Sequence, residues 1–162
     1  MIQLSGLWQD IWHNFEHVAI AFLLTAIVGW QSEREAHSAG VRTFPIVGMA
    51  SCGYVLLLGA QPNSADQSRV LQGLITGIGF IGGGAILKEG ATVRGTATAA
   101  SVWNAGVIGS AVAMNHYGIA ITLVVLNLFT LRTLLPLKNW LDRKEDLKKD
   151  SSGSIDLDHG RQ

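Results

Sequence analysis

The chain has 162 residues, a formal net charge of zero and only 15% charged residues. That length suits one domain, and the neutral balance excludes a global field that would favour nucleic acid or an anionic substrate. A single cysteine, Cys52, rules out an internal disulfide or a cysteine-based metal site; it lies in an apolar run and reads as a packed, inert thiol.

The N-terminus lacks the basic region and small-residue cleavage site of a signal peptide, so the first hydrophobic segment is expected to stay in the mature protein. That segment runs over residues 7–31. Its clean apolar core, Val18 to Trp30, is short for a span, and Trp8, Trp12 and Phe15 extend it with residues suited to a membrane boundary. His13, Glu16 and His17 fall beside this extension, so its outer end must be wet or turned toward other helices; a partly interfacial helix is the other reading.

A polar loop, Ser32–Thr43, carries Glu33, Arg34, Glu35, His37 and Arg42. The second span, 44–60, has Pro45 where the first helical turn tolerates it. Pro62 and Asn63 form the next turn. Asp66 sits well for an N-cap of the third span, 68–88, and could pair with Arg69 three residues on.

Spans three and four (68–88 and 95–114) contain the uncharged runs Val70–Leu87 and Gly95–Met114, joined by the polar turn Lys88–Arg94. Each run approaches the roughly 20 residues needed to cross a ~30 Å hydrocarbon layer. Both are loaded with small residues, which let membrane helices approach closely. Gly73 and Gly77 are four apart, as are Gly79 and Gly83, so each pair shares a helix face. A matching stripe, Gly95, Ala99, Val102, Gly106 and Gly109 or Ser110, runs along the fourth span. Helix packing alone accounts for these glycines; a locally broken helix around Gly82, Gly83 and Gly84 is the functional reading. The central hairpin is therefore expected to organise the other segments.

Residues 77–82 match the dinucleotide pattern GxGxxG, but inside an apolar run and with no acidic residue about 20 positions later. The nucleotide reading fails on that context. Asn104, beside Trp103, falls near the middle of the fourth span. An interhelical hydrogen bond worth ~0.6 kcal/mol to Gln72, Thr76, Thr96, Thr98 or Ser101 is the plain reading, and contact with a partner or a permeating species the sharper one.

The fifth span, 117–135, is stopped by Pro136. The tail 137–162 is basic, then polar: either a helix on the membrane surface or a solvated face, with the end expected to be disordered. Arg132 onward holds seven of the twelve lysines and arginines, which puts the C-terminus on the cytoplasmic side. Five spans then leave eleven of the twelve inside and only Arg69 outside, with the N-terminus outside.

The expected fold is thus all-α, a polytopic membrane protein of five transmembrane helices with a glycine-rich central hairpin. The five histidines are scattered, and nothing in the pattern requires a catalytic centre, metal or cofactor; no enzyme is expected, and the spans offer no midplane carboxylate for a magnesium ion.

The strings AGVRT (39–43), D-x-x-R (66–69), GIGFIGGGAIL (77–87) and VRGTATAASVW (93–103) together resemble the MgtC/SapB family over roughly residues 29–114. The resemblance implies a bacterial inner-membrane protein of about five spans, associated with growth under low magnesium and, in some pathogens, survival in hosts. It implies regulation of a membrane complex such as the proton-driven ATP synthase, or magnesium transport, and a partner in the membrane or a homo-oligomer. Glu33–Arg34, Ala39–Thr43, Asp66, Arg69, Gln72, the glycine cluster, Arg94–Gly95, Thr98 and Trp103 match family positions. Gly83–Gly84 stands where Ala-Gly is more usual, and Thr96-Ala97-Thr98 where Leu-x-Thr is. Longer members add a soluble domain after the last span; a short charged tail stands here instead, so a function of that domain is not expected.

Overall fold

In the computed structural model the first hydrophobic segment is one uninterrupted helix, α1 (Leu4–Ala36). The structure describes residues 4–36, 40–59, 63–89 and 92–133, with the side chains at 4–5, 34–36, 89 and 92 outside that description. The expected basic tail 137–162 lies outside it. Along α1, His17, Ala21, Thr25, Val28 and Ser32 recur at helical spacing and are buried, whereas Trp12, Phe15, Leu23, Ile27 and Trp30 are exposed. The small and polar residues face inward and the large apolar ones outward. In water such an apolar surface would be a liability; against lipid it is the natural arrangement.

Four further helices follow: α2 (Thr43–Leu56), α3 (Ser64–Gly84), α4 (Thr96–Ala113) and α5 (Tyr117–Thr133). Among the described residues one helix, Gly6–Glu33, is long and apolar enough to cross a membrane by length and composition, and Thr43–Leu56 and Tyr117–Thr133 are shorter apolar helices. The chain is all-α and membrane-type in architecture.

The α3–α4 connection is not a simple turn. Leu87–Glu89 (β1) and Thr92–Arg94 (β2) form a short antiparallel hairpin, with Leu87 opposite Arg94 and Lys88 opposite Val93. Consequently α3 ends at Gly84, short of the expected boundary at 88. Gly95 then turns the chain into α4 with φ 83°, and a Cβ there would strike the Ala85 carbonyl oxygen. Only glycine meets both conditions at low cost.

The core centres on α4, not on an α3–α4 pair. Thr98, Val102, Ala105, Ile108 and Val112 are all buried. Against them α2 presents Phe44, Val47, Ser51, Cys52 and Val55 on one face. Backbones meet where side chains vanish: a Cβ on Gly109 would strike the Gly48 carbonyl oxygen, and one on Gly48 would crowd Thr25 of α1. Thus α1, α2 and α4 close on one another through Gly48 and Gly109. By contrast, α3 buries only Ile78 and Gly82. It is the peripheral helix, because most of its glycines meet nothing.

Two compact units divide the chain, Met1–Leu128 and Phe129–Gln162. Within the first, Ala120 and Val124 of α5 belong to the core. Of the second, residues 129–133 are described and are helical.

Candidate functional site

The start of α3 is built by Asn63, which occupies the N-cap with extended backbone and accepts a hydrogen bond from the Asp66 N–H at 2.8 Å. Its amide Nδ2 donates to Asp66 Oδ2 at 2.7 Å. The cap is therefore Asn63 rather than Asp66, and the Asp66 carboxylate turns to Asn63 rather than to Arg69. The reciprocal bonds satisfy donors that the first turn would otherwise leave open. Arg69 is exposed and has no partner among the described residues.

From there α3 carries two opposite faces. Gln72, Thr76, Gly79 and Gly83 recur at helical spacing and are all exposed. The Thr76 hydroxyl is satisfied by the Gln72 carbonyl at 2.9 Å, but the Gln72 amide has no partner among the described residues. On the other side, Val70, Gly73, Leu74, Gly77, Ile78 and Ile81 form one wall of an apolar groove of about 460 Å³, and Val47, Ala50, Ser51 and Tyr54 of α2 form the other.

The glycines sort accordingly. A Cβ at Gly73, Gly77, Gly79, Gly83 or Gly84 would meet nothing within 4 Å, so none of these five packs a helix within the chain, contrary to the sequence expectation. Gly82 differs, since a Cβ there would stand 3.1 Å from the Ala99 carbonyl oxygen. Gly106 lies under Ile78 and close to the Ser51 hydroxyl. No break interrupts α3 before its end at Gly84.

The loop after α1 is organised by Glu33. Its Oε2 accepts from the Val41 N–H at 2.7 Å, and its side chain lies so close to Gly40 that a Cβ there would strike it. The Gly40 carbonyl in turn accepts from Thr43 and Phe44, starting α2. Arg42 takes the N-cap position of α2 without a side-chain cap and is exposed. The side chain of Arg34 lies outside the described residues. Arg94 is exposed on β2, and Thr98 is buried.

Asn104 is half-buried, and its Nδ2 donates to the Leu123 carbonyl of α5 at 3.4 Å. None of the five side chains proposed for it supplies that partner. Ser101 instead donates to Asn127 Oδ1 at 3.0 Å. Neighbouring Trp103 is exposed.

A polar cluster that the sequence did not reveal centres on buried His17. Its Nδ1 lies 2.9 Å from the His13 carbonyl, which can only accept, so Nδ1 carries the hydrogen. Nε2 lies 3.1 Å from Asn115 Oδ1 and 3.3 Å from the Tyr117 hydroxyl. The Tyr117 hydroxyl also donates to Asn115 Oδ1 at 3.2 Å, so the three side chains form one cluster. Asn115 has φ 60° and makes the left-handed turn between α4 and α5. Beside it a cavity of about 580 Å³ is lined by Asp10, His13, Asn14, Gln67, Asn115 and His116 among others. Among the described residues, no three His, Cys, Asp or Glu side chains are grouped to hold a metal ion.

Comparison with known proteins matches residues 18–140 to the family model described as the MgtC family. The MgtC protein of Brucella abortus is 31% identical over 121 residues, 73% of this chain and 51% of that protein. MgtC of Salmonella typhimurium is 34% identical over 109 residues, 65% of this chain and 46% of that protein. The Escherichia coli K12 protein YhiD, provisionally named a magnesium transporter, is 30% identical over 123 residues, 68% of this chain and 57% of its own length. The chain thus spans about half the length of the curated relatives it matches. No solved structure matches it.

Proposed function

The chain belongs to the MgtC family, and from that premise we propose that it is a non-enzymatic membrane protein regulating a membrane complex in magnesium-limited or stress growth. The observation that carries this reading is the exposed Gln72–Thr76–Gly79–Gly83 face of α3. In lipid an unpartnered amide is costly, and small residues beside it let another helix come close enough to satisfy it. The bacterial inner membrane is the expected location, with the N-terminus outside and the C-terminus cytoplasmic. The docked helix would belong to a membrane complex, an ATP synthase or a cation transporter, or to a second copy of the chain.

Magnesium or other divalent-cation transport, or service as a transport accessory, is the second reading, favoured by the name of the Escherichia coli relative. Purified protein in liposomes loaded with a magnesium-sensitive dye separates the two. The regulator reading expects no flux above empty vesicles, together with capture of a membrane protein that Gln72→Leu abolishes. Magnesium flux in those liposomes would overturn it.

A further inference from the structure

Resting on the chain's place in a bilayer, but not on its regulatory role, we infer that the α2–α3 groove holds one acyl chain of a phosphatidylethanolamine-type lipid whose headgroup sits on Asp66 and Arg69. The groove's size fits a single chain. Its volume of about 460 Å³, walled by α2 on one side and α3 on the other, is that of a narrow apolar cleft. A helix would need several times that space.

Length and position agree. From Val70 to Ile81 the helix rises about 17 Å, close to the ~15 Å that one leaflet contributes to a ~30 Å hydrocarbon core. The groove is apolar, and it stays open because Gly73 and Gly77 have no neighbour within 4 Å of a would-be Cβ.

Its polar end supplies the recognition. Asp66 stands four residues before Val70, so the groove's stripe continues into its carboxylate, while Arg69, four before Gly73 and three before Gln72, stands at the border between the groove and the opposite face. Both are exposed, and Arg69 has no partner among the described residues. Asp66 accepts one bond from Asn63 and keeps further acceptor capacity. An anion beside a cation, one turn apart, complements a phosphate followed by an ammonium. Arginine holds phosphate oxygens through charge-assisted, often bidentate hydrogen bonds.

The full chain, extracted in mild detergent and titrated with phosphatidylethanolamine, is to be followed by native mass spectrometry. One lipid should be retained per chain. Diacylglycerol with the same acyl chains, which lacks the phosphate, should be held on the order of tenfold more weakly, and Arg69→Gln should cost a similar factor. Gly77→Leu, which fills the groove, should lose the lipid while keeping wild-type circular dichroism. Gly83→Leu, on the opposite face, should keep the lipid yet lose captured protein, so the two sites fail separately. Equal retention by wild type and Gly77→Leu would overturn the inference. So would disulfide-linked dimers from Gly77→Cys in membranes, which would give the groove to a second copy of the chain.

Discussion

A missing side chain has opposite meanings at different glycines of this chain. At Gly95 the backbone is left-handed and the Ala85 carbonyl fills the space a Cβ would need. Gly95→Ala should therefore destabilise the protein by at least ~2 kcal/mol, combining left-handed strain with overpacking. At Gly79 nothing stands within 4 Å and the backbone is helical. Gly79→Ala should leave stability within roughly 1 kcal/mol of wild type, on the stabilising side, because alanine is the better helix former. Thermal unfolding of both variants in one detergent checks the pair; equal losses would mean that α3 is packed inside the chain after all. Composition does not separate these positions. Gly79 and Gly95 lie in similar runs of small residues, and only the hairpin Leu87–Arg94 puts one against a carbonyl and leaves the other open.

Between elements, polar side chains buried among apolar neighbours tie the helices together. His17 joins α1 to the α4–α5 turn through Asn115 and Tyr117, residues 98 and 100 positions away. His17→Leu leaves those partners short of a bond and should cost about 1–3 kcal/mol, read as earlier denaturation with α1 released first. If α1 stays as protease-resistant as before, the cluster does not hold it. Asn104 behaves differently, since its amide already donates to the Leu123 carbonyl. Asn104→Leu should cost about 0.6 kcal/mol and leave partner capture intact, whereas Gln72→Leu should abolish capture. Loss of capture in the Asn104 variant alone would return the contact surface to α4. The sequence revealed the helices well, because apolar length and turn residues mark them. It did not reveal which glycine-rich helix is surrounded. α3 and α4 share a composition, and the decisive contact, Gly48 on Gly109, joins α4 to a glycine of α2 that belongs to no repeated pattern. Strands of three residues within a polar turn were equally illegible, since so short a run carries no usable alternation.

For the molecule as a whole, burial is inverted relative to a water-soluble bundle. Alanine, glycine, serine and threonine fill much of the centre, while Trp12, Phe15, Leu23, Ile27 and Phe80 stand outside, Phe80 at 87% exposure. Such an exterior suits hydrocarbon or a packed partner helix, and an orientation test can follow from it. From Val70 to its end at Gly84, α3 rises about 21 Å, with Asp66 and Arg69 in the turn before that uncharged stretch. Ser64 at one end and Lys88 just beyond the other are both exposed. The proposed orientation, which leaves eleven of the twelve basic residues on one side and Arg69 alone on the other, would put the Ser64 end outside and the Lys88 end in the cytoplasm. In intact cells a membrane-impermeant maleimide should label Ser64→Cys and spare Lys88→Cys until the membrane is opened. Native Cys52 is buried and should give no background. Labelling of both variants in intact cells would mean that α3 lies along the surface, and both the lipid groove and the docking face would then lose their setting. Labelling of Lys88→Cys alone would keep the spans but reverse them, moving the Arg69 headgroup site to the cytoplasmic leaflet.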